Sequence, residues 1–141
     1  MIRQAAGASY DSANAGARTV TANLVVSDFL ANAGTLLSNY VLPTSISGPG
    51  TITQAQLAAV ILGNPTKVYD ATTVASLTSA NYALGGFVAG ESATVAQGLG
   101  AYDSKNVGSR IVTALLGSGD FTAGAGTDLG NYLLPASATG A

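Results

Sequence analysis

Apolar residues in this chain come in short alternating or β-branched runs separated by Gly, Asn, Asp and Ser, and no sustained spacing of about 3.6 residues competes with that pattern. Residues 18–27, Arg-Thr-Val-Thr-Ala-Asn-Leu-Val-Val-Ser, and residues 110–116, Arg-Ile-Val-Thr-Ala-Leu-Leu, predict strands. Asp28-Phe29 and Asp120-Phe121 each lead into an Ala/Gly/Thr stretch expected as a loop. Residues 39–43 and 131–135, Asn-Tyr-x-Leu-Pro, predict short strands halted by a proline that cannot donate to a ladder. Residues 9–16 carry turn chemistry, since Asp and Ser bond their own backbone and Gly accepts positive φ. Further strands are expected at 51–54, 59–62, 71–77, 82–88 and 92–97, with a helical turn as the alternative over 57–62. Turns fall at Gly85-Gly86 and at Gly90. Roughly seven short strands separated by Gly-rich turns predict an all-β, antiparallel sandwich of immunoglobulin-like type.

The pattern occurs twice. Residues 10–48 match residues 102–140 without a gap at an offset of 92, through Tyr10/Tyr102, Asp11/Asp103, Arg18/Arg110, Asp28/Asp120, Asn39/Asn131, Tyr40/Tyr132 and Pro43/Pro135. The chain therefore reads as about one and a half units of a tandem repeat. The boundary is expected in residues 45–50, where Gly48-Pro49-Gly50 stands. Residues 1–49 are then the second half of a preceding unit and residues 50–141 one complete unit. Half a sandwich leaves strand edges uncovered, and unpaired edges recruit partners. The half-unit is accordingly expected to be poorly ordered, to borrow strands from a neighbouring chain, or to mark a chain cut from a longer array.

Composition narrows the function. Charged residues make up 9% and the formal net charge is −2. No Lys/Arg cluster offers nucleic acid a counterion-releasing surface, so no nucleic-acid partner is expected. Mean hydropathy is +0.37, and the low charge and apolar content argue against intrinsic disorder. No apolar run reaches the roughly 18–20 residues of a spanning helix, so no membrane span is expected. Residues 1–9 lack an apolar signal core, and Met1 is expected to be either an added start or the edge of an excised segment. Without His or Cys the usual general base, thiolate nucleophile and favoured zinc ligands are missing. No catalytic residue and no cofactor is assigned, and the chain is expected not to be an enzyme.

The carboxylates are Asp11, Asp28, Asp70, Glu91, Asp103, Asp120 and Asp128. Four form repeat-equivalent pairs, which suits turn-capping copied with each unit. Asp70, Asp103 and Asp120 are candidate calcium ligands, because hard oxygen donors suffice, although no Asp-x-Asp-x-Asp-Gly spacing supports them. An isopeptide from Lys67 or Lys105 to an Asn or Asp would require a buried lysine beside an acid. The glycines at 98–100 and 124–126 lack the strand-to-helix context and the Gly-Lys-Ser/Thr ending of a nucleotide loop. Tyr40 and Tyr132 stand at equivalent positions, which favours a core or corner role over a glycan platform.

Lys67-Val68-Tyr69-Asp70-Ala71-Thr72-Thr73 resembles the opening of the YDG-type repeats of large secreted bacterial haemagglutinin- or adhesin-like surface proteins. Val88-Ala89-Gly90-Glu91, Lys105-Asn106-Val107-Gly108 and Asn131-Tyr132-x-Leu134 follow in the family's order. Two departures are Ala71 where Gly is usual, and Ala13-Asn14-Ala15-Gly16 in the earlier copy. If residue 71 needs positive φ, Ala costs about 1 kcal/mol there. The resemblance implies export to the bacterial cell surface and units stacked as a stalk. The function expected is a non-enzymatic spacer in an adhesin or surface filament. The alternatives are a fibre subunit that exchanges its half-unit between chains and a carbohydrate-binding module. Partners are expected to be neighbouring repeats, copies of itself, or host or matrix glycans.

Overall fold

The computed structural model describes residues 1–3 and 7–141. The chain forms two compact units, Met1–Thr53 and Gln54–Ala141. Regular structure among the described residues is strand or single-turn 3₁₀ helix, so the molecule is all-β.

The first unit is an antiparallel sheet of β1 (Ser9–Tyr10), β2 (Gly16–Asn23) and β3 (Ser45–Ile52), in that order. Its register runs Gly16↔Ile52 to Asn23↔Ser45, with Tyr10↔Val20 on the other side. Residues 45–50, expected as a break, are thus the body of a strand, and the expected boundary at 49/50 falls inside β3. An edge strand accommodates Pro49, whose missing donor costs nothing on an open side. Gly50 is required here: a Cβ would lie 2.5 Å from Val20 Cγ2 and 2.8 Å from Tyr10 Cε1. Residues 9–10, expected as turn, join the sheet. Ala22 and Leu24 are buried, and Ile2 bridges to Phe29 while the Arg3 N–H donates to the Asp28 carbonyl at 2.6 Å.

The second unit holds β4 (Ala55–Gln56), β5 (Ala58–Ile61), β6 (Val74–Ser76), β7 (Tyr82–Gly85), β8 (Ala93–Val95), β9 (Leu99–Tyr102), β10 (Val112–Leu115), β11 (Phe121–Ala123), β12 (Tyr132–Leu133) and β13 (Ser137–Gly140). Six form one sheet in the order β6-β9-β10-β13-β5-β7, while β8 pairs with β11 and β4 with β12. The expected wholly antiparallel arrangement is corrected at two places. β5 runs parallel to β13 and β4 parallel to β12. The long chain between the members of each pair permits this, since parallel strands need an extended connection. Within residues 57–62, Ala58–Ile61 is strand, and no helical turn forms there.

The core lies between the large sheet, through Ile61, Ala75, Val112, Ala114 and Ala138, and the β8–β11 pair, through Val95 and Phe121. Each buried Val, Ile or Phe contributes about 1.5–3 kcal/mol. These side chains are small, so backbones approach closely: a Cβ on Gly100 would lie 2.9 Å from Leu77 Cδ1 and 3.1 Å from Val112 Cγ1.

The sheet β9-β10-β13 pairs as β1-β2-β3 does. Tyr102↔Val112 stands 92 positions after Tyr10↔Val20, and Leu115↔Ser137 stands 92 after Asn23↔Ser45. The bridge Ile2↔Phe29 sets residues 1–3 against Phe29 as Val95↔Phe121 sets β8 against Phe121, with the partner one position out of the 92-residue offset, so residues 1–3 take the place of β8.

Five 3₁₀ turns among the described residues, Val26–Asp28, Leu37–Asn39, Ser79–Asn81, Ser118–Asp120 and Leu129–Asn131, each end on Asp or Asn followed directly by Phe or Tyr. In three the terminal side chain accepts the N–H three residues back: Asp28 from Val25 at 2.9 Å, Asn81 from Thr78 at 2.9 Å, Asp120 from Gly117 at 2.8 Å. The stretches expected as loops after Asp28 and Asp120 are thus each preceded by a capped turn, and the later one is corrected over Phe121–Ala123, which is strand β11 paired with β8. The strand expected over 39–43 is replaced by the turn ending at Asn39, and only Tyr132–Leu133 is strand in the later segment.

Candidate functional site

The family-like motifs of the second unit meet at two places. The first is a cleft of about 250 Å³ between residues 64–69 and residues 102–110. One wall is a tight turn. Lys67 Nζ donates at 2.8 Å to the Asp70 carboxylate, the Thr72 carbonyl and the Thr72 hydroxyl. Asp70 also accepts from the Thr72 N–H and hydroxyl, both at 2.9 Å. These partners, the lysine foremost and then the Thr72 N–H, hold the Asp70 carboxyl at about 2 against an ordinary 3.8. Ala71 lies between them at φ +64°, the left-handed conformation that glycine adopts without cost. The other wall is anchored by Tyr102, whose hydroxyl donates to the Pro65 carbonyl at 2.8 Å and whose ring faces the Lys67 ammonium at 5.5 Å.

The loop over the cleft has the same construction in both units. Arg110 donates from Nε to the Asn106 carbonyl at 2.8 Å and from a terminal nitrogen to the Val107 carbonyl at 3.1 Å. Arg18 does so to Asn14 and Ala15 at 2.7 and 2.9 Å. The glycines at 16 and 108 stand at φ +129° and +132°, and Ser12 and Ser104 each accept the N–H two residues on. Arginine here is a brace that satisfies loop carbonyls.

The second meeting place is Tyr132. It is 3% exposed, its ring packs edge-on to Phe87 with centroids 5.0 Å apart, and its hydroxyl donates to the Glu91 carboxylate and accepts the Val88 N–H at 3.1 Å. The Glu91 hydrogen bond, with burial second, pushes the phenol above its ordinary range. So the core or corner role expected of both tyrosines holds at Tyr132, whereas Tyr40 is 64% exposed.

The calcium candidates lie apart in function. Asp70 is occupied by Lys67 and Thr72, Asp120 caps its turn, and Asp103 is exposed after β9. Among the described residues no three His, Cys, Asp or Glu side chains gather to hold a metal ion. Lys67 meets its acid in an open turn and Lys105 is exposed, so neither has the burial an isopeptide would need. Lys67, Asp70, Lys105, Asn106 and Tyr132 were legible as motif residues, but the Tyr102–Pro65 and Tyr132–Glu91 links were not. No helix of the described residues is long and apolar enough to cross a membrane.

A family model described as the YDG domain matches residues 53–140. No curated protein and no solved structure matches the chain.

Proposed function

This chain belongs to the YDG domain family, and from that premise we propose that it is a non-enzymatic spacer, a tandem-repeat piece of an exported bacterial adhesin-like surface protein or filament. The observation that carries the reading is the gapless match at an offset of 92, joined to identical strand pairing in both matching segments. Stacked repeats draw stability from each unit and its neighbour, and their function is length. Within a unit we propose an immunoglobulin-like sandwich, supported by the core between the six-stranded sheet and the β8–β11 pair.

Small-angle scattering tests it. Chains lengthened by one and two further copies of residues 50–141 should gain maximum dimension by equal increments. A compact particle whose dimension grows only as the cube root of mass overturns the spacer.

A further inference from the structure

The two matching segments differ in what lies against them. Tyr132 is covered by Phe87, Val88 and Glu91, and its equivalent Tyr40 is exposed. A Cβ on Gly140 would collide with the Ile61 carbonyl of β5, whereas a Cβ on the equivalent Gly48 meets open space. The Leu133 carbonyl accepts the Leu57 N–H at 3.1 Å, while the side chain of its equivalent Val41 is fully exposed. Val26, Leu36 and Ile46 of the same segment are also more than half exposed.

Everything named that covers the later segment comes from residues 54–93. Residues 1–3 already supply the bridge to Phe29 that β8 supplies to Phe121. The covering elements without a counterpart among the described residues of Met1–Thr53 are therefore β4–β7 and the turn carrying Phe87 and Glu91. Its sheet ends at β1 and β3 among the described residues. In the second unit the equivalent strands β9 and β13 carry β6 and β5 on those sides.

We infer that residues 9–48 are an acceptor surface for a polypeptide segment of the 54–93 pattern, additional to the one this chain folds onto residues 102–140. The inference rests on the repeat equivalence underlying the spacer reading. The occupant adds a strand at each edge of β1-β2-β3 through main-chain hydrogen bonds, and the pocket for Tyr40 sets its register. An additional segment is favoured over an exchanged one because residues 54–93 are tethered to their own site at high effective concentration. Exchange between copies would also uncover as much surface as it covers.

The test titrates the full chain with a labelled synthetic polypeptide of residues 54–93, read by fluorescence anisotropy and by amide hydrogen exchange. The expected result is one-to-one binding with protection gained at residues 9–10 and 45–52 and none lost at 102–140. Gly48→Val should abolish binding while leaving the melting of the free chain unchanged. Tyr40→Ala should weaken binding about thirty-fold, as loss of a central aromatic anchor does. Absence of binding, or protection confined to 102–140, overturns the inference. Self-association of the chain alone, with protection gained at 45–52 and lost at 102–140, overturns it too by making an exchanged copy the occupant. Those outcomes leave the spacer standing on its scattering increments, and failure of the increments leaves the titration to be decided on its own.

Discussion

Tyr40 and Tyr132 occupy the same place in the same motif, each directly after a 3₁₀ turn that ends on Asn, yet one is 64% exposed and the other 3%. Residues within four or five positions make the turn in both. Burial of Tyr132 depends on Phe87, Val88 and Glu91 of its own unit. The difference separates what a repeat encodes locally from what it must receive from elsewhere in the chain. Turns, braces and strand register belong to the first kind, and a closed core belongs to the second.

The largest test of that separation is truncation of the two rings. Tyr132→Ala should cost about 3–5 kcal/mol, because a buried aromatic is removed and the Glu91 and Val88 partners are left unpaired. Tyr40→Ala should change stability by no more than about 0.5 kcal/mol. Denaturant unfolding measures both, and equal costs would dissolve the contrast. A smaller effect of the same kind is expected at the glycines. Gly140→Ala forces β13 away from the Ile61 carbonyl and should cost about 1–3 kcal/mol, while Gly48→Ala should be near neutral.

Where both segments build the same local device, the contrast should vanish. Asp28→Ala and Asp120→Ala each remove the acceptor for an N–H at 2.9 and 2.8 Å, and each should cost about 1 kcal/mol in its own unit. A loss at Asp120 alone would show that the turn of the first unit is not held by its cap.

The same division explains what was legible in the sequence. The strands at 16–23 and 112–115 announced themselves because β-branched residues alternate there, and the 92-residue offset aligned them. The five 3₁₀ turns ending in Asp/Asn before Phe/Tyr are not legible in the sequence, because a three-residue 3₁₀ turn carries no periodicity. β3 and β13 were missed because Gly and Ser give them no apolar alternation; register with β2 and β10 makes them strands. The cleft motifs were visible, whereas Tyr102 bonding Pro65 joins residues 37 positions apart and has no local signature.

Ala71 tests the contrast from the covering side. At φ +64° an L side chain is strained, so Ala71→Gly should stabilise the second unit by about 1 kcal/mol and leave the first unit's transition in place. A destabilised variant would mean the alanine methyl makes a contact that outweighs the strain.

The smallest expected effect is one of acid. Asp70 has its carboxyl lowered to about 2 by Lys67 and Thr72, against 3.8 when free. A depressed carboxyl contributes stability above its unfolded value, and that contribution is lost as pH falls from about 4 through about 2. The turn is exposed, so solvent screens the pair and the change is small. Asp70→Asn should flatten the acid limb of the second unit's stability between those values and leave the first unit's pH dependence unchanged, since Asp70 belongs to the second. If the first unit's acid limb moved with the substitution, the two units would not be energetically separate, and the contrast between Tyr40 and Tyr132 would need an explanation other than cover.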